Sequence, residues 1–140
     1  MDRPWENEPD EWQAEMMCAK RHPEFLNWCG YVAVGPQHPL HGAEMDDERL
    51  SGLDVHGGIT WARDHAPSEE SSGELWWFGF DCAHAWDYAP GLVARIRELR
   101  LEPPLFPRGT YRDLEYVKAQ CMGLARQLAR YRPGDMDELE

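Results

Sequence analysis

The sequence predicts an α+β domain: a small antiparallel sheet of about three or more strands packed against a long C-terminal helix and one or two shorter helices. Three observations carry this reading. Residues 28–34 and 75–82 are rich in aromatic and β-branched residues and are bounded by turn formers. Residues 53–62 alternate between polar and apolar positions, as a half-buried strand does. Near the C-terminus, Leu114, Val117, Cys121, Leu124, Leu128 and Tyr131 recur at three- and four-residue steps, which is one apolar helix face. A chain of 140 residues that is 42% apolar can enclose one core, so a single domain over 1–140 is expected. The acidic ends, 1–7 and 133–140, are expected to be flexible.

Taken in order, residues 8–20 read as a first helix, with Trp12, Met16 and Ala19 on one face and acids at its start. His22-Pro23 ends it. The first strand, 28–34, stops at Gly35-Pro36. A loop to about residue 50 carries His38 and His41. In the second strand, 53–62, Val55, Gly57, Ile59 and Trp61 share one face, and Asp54, His56, Gly58 and Thr60 the other. Residues 63–74 are polar and read as a connection. The third strand, 75–82, is apolar on both faces, as a covered central strand is. A short helix over 91–100 places Leu92, Ile96 and Leu99 together, and Pro103, Pro104 and Pro107 make a stiff extended link. Thr110 to Asp113 matches a capping box for the last helix, with Thr110 as its cap.

Composition excludes several functions. The net charge of −12 opposes nonspecific nucleic-acid binding and attachment to anionic membranes, both of which need basic contacts. The acids gather in segments that read as loops and ends, which suits solvated charge better than a nucleic-acid mimic. There is no membrane-length apolar run and no basic–apolar–small leader pattern, so a cytoplasmic location is expected. The four cysteines, Cys18, Cys29, Cys82 and Cys121, are far apart and form neither a C-x-x-C pair nor a zinc-finger spacing. There is no Walker loop, G-x-G-x-x-G, G-x-S-x-G, H-E-x-x-H or EF-hand pattern.

Two stretches carry groups that a core does not need. One is Asp54-Val55-His56-Gly57-Gly58-Ile59-Thr60, and the other runs from Trp76 to Asp87 and contains Asp81, Cys82 and His84. Burying such groups is costly unless they are paired, which marks a candidate site. His56, His84, Asp81 and Cys82 are the candidate catalytic residues. Gly57, Gly58, Thr60, Trp77, Trp86 and Asp87 are the candidate ligand contacts, with the Gly amides facing a phosphate or carbonyl and Trp stacking on a flat ring. Three chemistries fit this set. One is a metal site drawing on His56, Asp81, Cys82 or His84 with His38 or His41. Another is a Cys82–His nucleophilic pair oriented by an Asp. The third is a binding pocket, in which Arg63, Arg95 or Arg112 adds charge for a phosphate. The residues identify no cofactor and no metal.

The string Cys29-Gly30-Tyr31-Val32, His38-Pro39, 55–60 (Val-His-Gly-Gly-Ile-Thr), 77–84 (Trp-Phe-Gly-Phe-Asp-Cys-Ala-His) and 111–117 (Tyr-Arg-Asp-Leu-Glu-Tyr-Val) resembles a family of small uncharacterised proteins of bacteriophages and prophages. The resemblance covers about residues 28–128. It implies a phage accessory protein acting in the bacterial cytoplasm, a class that often counters host defence, in some cases by sequestering or cleaving nucleotide second messengers. It carries no catalytic assignment. Trp86 departs from the pattern, which has a small residue there. The expected function is therefore binding of a small nucleotide-like ligand in a pocket lined by His, Asp and Trp. The alternatives are a hydrolase cleaving a phosphodiester or related bond, and an acidic inhibitor that docks on a host protein.

Overall fold

Five antiparallel strands in the order β1-β2-β3-β5-β4 make the sheet in this computed structural model, which describes residues 3–67, 74–84, 86–99 and 109–132. The strands are β1 (Glu11–Ala14), β2 (Met17–Arg21), β3 (Trp28–Val34), β4 (Trp61–Arg63) and β5 (Trp76–Asp81). Two helices follow, α1 (Pro90–Glu98) and α2 (Leu114–Arg130). The α+β class and the long last helix stand as the sequence predicts.

Strand alternation decides which residues meet α2. Trp28, Val32 and Val34 of β3 and Phe78 and Phe80 of β5 lie in one buried cluster with Leu114, Val117, Cys121, Leu124 and Leu128 of α2. Their neighbours in sequence point the other way: Ala33 and Trp77 join Cys18 and Ala66, flanked by Tyr31 and Trp61, on the opposite face. Gly30 pairs with Phe80 across the sheet, and a side chain at Gly30 would run into the Phe80 ring and into Cys121 Sγ at 2.8 Å. The missing Cβ leaves room for the Phe80 ring between the sheet and the helix.

The N-terminal segment differs from expectation. Residues 8–20 are not a helix. They form the β1–β2 hairpin, with Trp12 opposite Ala19 and a turn that puts Met16 at φ 61°. The spacing of Trp12, Met16 and Ala19 fits a helix locally. The free edge of β3 offers a full ladder of hydrogen bonds to β2, from Met17↔Val32 to Arg21↔Trp28, and that pairing overrides local preference. Residues Pro4–Asn7 form a 3-10 turn before the hairpin. Trp5 packs from this turn against Tyr88 and Tyr111.

The second predicted strand is also shorter than expected. Only Trp61–Arg63 is strand; residues 55–58 form a turn closed by Gly58 N–H donating to the Val55 carbonyl at 2.9 Å. Gly57 and Gly58 take φ values of +70° and +79°, a left-handed pair that ends any strand alternation. The cap of α2 moves as well. Asp113, not Thr110, caps it, accepting from Tyr116 N–H at 2.8 Å. Thr110 instead bridges Asp87: Tyr88 N–H donates to the Thr110 carbonyl at 2.8 Å, and Thr110 N–H to the Trp86 carbonyl at 3.0 Å. The proline link and the acidic C-terminal end lie outside the described residues. No helix of the described residues is long and apolar enough to cross a membrane.

Candidate functional site

Three pieces of chain converge beside the N-terminal half of α2: the 55–58 turn, the end of β5 with the residues after it, and α2 itself. The turn is pinned to α2 because His56 N–H donates to Gln120 Oε1 at 2.9 Å. The chain after β5 is pinned by the Asp87–Thr110 bridge.

Asp87 is the centre of this convergence. Its side chain is fully buried, and both oxygens are occupied. Oδ2 accepts from His56 Nε2 at 2.8 Å and from His84 N–H at 3.1 Å, while Oδ1 accepts from Arg112 Nε at 2.9 Å. Burial is tolerable because the Arg112 cation lies against the carboxylate. The carboxylate of Asp87 can only accept, so His56 Nε2 is the donor in that bond, and Nδ1 accepts from the Tyr116 hydroxyl at 2.8 Å. Arg112 also lies over the Tyr116 ring, 5.0 Å from its centroid. Burial raises the Tyr116 phenol above its ordinary pKa, and Arg112 opposes the rise.

A second group lies at the surface next to the first. Asp81 accepts from Thr60 Oγ1 at 3.1 Å and from Ala83 N–H at 3.1 Å. The His84 ring is held between Asp81 Oδ1, 3.5 Å from Nε2, and the Trp86 ring, which stacks on it at 5.1 Å and 10°. His84 Nε2 is enclosed and makes no hydrogen bond among the described residues. Trp86 is 53% exposed. His56 links the groups, with ring centroids 5.8 Å from His84 and 6.3 Å from Trp86.

Gly57 explains how His84 fits. A Cβ there would overlap His84 Nε2, whereas one at Gly58 would meet nothing within 4 Å. Both residues have positive φ, which costs an L-residue about 1–2 kcal/mol. Gly57→Ala is therefore expected to lose that amount plus the cost of pushing His84 off Trp86, about 2–4 kcal/mol together. Gly58→Ala should lose only the backbone part. Urea denaturation of the two variants checks this; equal losses would show that Gly57 makes no room for His84.

The remaining candidates separate. Cys82 is 1% exposed in the main core, and burial, reinforced by Asp87, pushes its thiol well above the ordinary value. A buried protonated thiol is no nucleophile, so the Cys82–His pair is withdrawn. Trp77 packs on the far face of the sheet and does not reach His56. Gly58 lines a separate recess of about 380 Å³ with Met45, Asp47, Leu50 and Ile59. His38 and His41 are structural: their Nε2 atoms donate to the carbonyls of Leu128 at 2.7 Å and Glu74 at 3.0 Å. Among the described residues no three His, Cys, Asp or Glu side chains are placed to hold a metal ion.

No protein-family model, curated protein or solved structure matches this chain.

Two residues of the site were not singled out by the sequence reading, Tyr116 and Gln120. Both lie on the polar edge of an amphipathic helix, where such residues usually face water. The one available signal was the polar run of Tyr111, Arg112 and Asp113 just ahead of that helix.

Proposed function

We propose that this is a phage accessory protein of the bacterial cytoplasm that binds a small nucleotide-like ligand beside Trp86. The observation that carries the reading is the exposed Trp86 ring stacked flat on His84. A large exposed aromatic held in a fixed orientation offers a shelf for a flat ring at little entropic cost. Polar edges adjoin it. Asp81 and Thr60 present acceptor and hydroxyl groups, and Arg112 supplies positive charge for a phosphate on an otherwise acidic protein. Among the described residues, the hydrogen bond of Arg112 to Asp87 is made through Nε, which leaves its terminal nitrogens for a ligand.

Isothermal titration with a panel of cyclic and ADP-ribose-type nucleotides tests the reading. At least one should bind. Trp86→Ala should weaken that binding about 5- to 100-fold, the worth of one base–aromatic stack, and leave the melting temperature unchanged. Folded protein that binds none of the panel would remove the proposal. Hydrolysis is supported by a different observation, the hydrogen-bonded chain Asp87–His56–Tyr116.

A further inference from the structure

From this chain we infer that Tyr116 is a nucleophile, activated by His56 and Asp87 for attack on a phosphoryl group. The inference rests on the ligand reading above only in taking a phosphate ester as the natural electrophile.

The geometry has the logic of a three-part relay. A fully buried carboxylate, Asp87, holds Nε2 of His56 at 2.8 Å. This bond aims the lone pair of Nδ1 at the Tyr116 hydroxyl, 2.8 Å away. The His56 side chain is only 4% exposed and both of its nitrogens are engaged, so it reaches no substrate directly. Its basicity is felt outside through one group, the half-buried Tyr116 phenol. A hydroxyl bonded to a base oriented by a carboxylate is the arrangement that activates weak nucleophiles. The alternative role, a purely structural tie, would need the two hydrogen bonds but would leave the phenol no more reactive than its neighbours.

Tyr116 Oη attacks phosphorus, and the P–Oη bond forms as the bond from phosphorus to the leaving alcohol oxygen breaks. The phenolic proton moves to His56 Nδ1 and stays there, while the departing oxygen takes a proton from a solvent water and leaves hydroxide. That hydroxide attacks phosphorus, the P–Oη bond breaks, and the proton on Nδ1 returns to the phenolate. Asp87 stabilises the imidazolium throughout and does not itself take the proton. Arg112, lying over the Tyr116 ring, is placed to offset the charge that develops on the phosphoryl oxygens.

A small arylsulfonyl fluoride tests this without any nucleotide. Attack by a phenol forms an S–O bond and expels fluoride, with the phenolic proton passing to the base. Tyr88 and Tyr131 are half-buried like Tyr116 and serve as internal controls. Peptide mass spectrometry should place the adduct on Tyr116, formed about 10-fold or more faster than on either control. His56→Gln should slow it about 100-fold, the usual worth of a general base. If that variant does not fold, the relative rates of Tyr116 and Tyr131 in the wild-type protein decide. Labelling of Tyr116 no faster than that of Tyr131 overturns the inference, as does unchanged labelling of Tyr116 in a folded His56→Gln protein. Because the probe does not require Trp86 to bind a nucleotide, failure here and failure of the ligand reading are separately visible.

Discussion

Asp87→Ala is expected to destabilise the protein by about 3–5 kcal/mol, the cost of removing one partner from a buried ion pair. The loss is large because three groups are orphaned together. His56 Nε2–H, His84 N–H and Arg112 Nε–H all donate to this carboxylate, at 2.8, 3.1 and 2.9 Å. The alanine side chain offers no acceptor, and the position of the carboxylate is closed to water. For a domain of this size the melting temperature should fall by about 10–20 °C. Asp87→Asn keeps one acceptor oxygen but turns an amide N–H toward another donor, so an intermediate loss is expected. A double-mutant cycle with Arg112→Met isolates the ion pair. A loss below about 1 kcal/mol for Asp87→Ala would show that the three segments hold together without this carboxylate.

Glu8→Ala is the second large effect expected, about 3 kcal/mol, from a residue outside the site. Glu8 follows the N-terminal 3-10 turn, and its carboxylate gathers four partners from across the chain. Trp28 Nε1–H donates to Oε1 at 3.2 Å, the Tyr111 hydroxyl donates to the same oxygen, and Leu114 N–H donates to Oε2 at 2.6 Å. Arg21 approaches to 4.0 Å with its side chain only 8% exposed. Leu114 opens α2, so this carboxylate also sits where the helix dipole favours negative charge. Burial, with the bond to Glu8 adding to it, raises the Tyr111 phenol above its ordinary value. Removing Glu8 leaves an indole N–H, a phenol and a helix amide without their acceptor. Urea denaturation measures the loss, and Glu8→Gln, which keeps an acceptor oxygen but no charge, should recover roughly half of it. A variant as stable as the wild type would mean that water replaces all of these contacts.

These two carboxylates differ in how far the sequence announced them. Asp87 stands in a dense run of aromatic and polar residues after a core strand, and that density marked it. Glu8 stands in an acidic segment where any single acid reads as solvated charge. Only the fold brings Trp28, Tyr111 and Leu114 around it. The 8–20 hairpin was hidden for a similar reason. Its residues satisfy a helical spacing, and what makes them strands is the open edge of β3, which local sequence does not contain. In the site, His56 was legible because an imidazole beside two glycines in a strand pattern is unusual, and Asp87 because of the polar groups crowded before it. Tyr116 was not, because a tyrosine on a helix flank is ordinary until a histidine is placed against it.

The sequence by itself determined the α+β class, strands β3 and β5 and both helices, and it marked the segments that carry the candidate residues. Those follow from periodicity and turn chemistry, which act over a few residues. Tertiary structure alone decided which candidates meet. It sent Cys82 into the core and Trp77 to the far face, bound His38 and His41 to backbone carbonyls, and set His56 between Asp87 and Tyr116. Those outcomes depend on contacts between residues 31 to 103 positions apart, such as His56 with Asp87 and Tyr111 with Glu8, which only the closed sheet and its covering helix create.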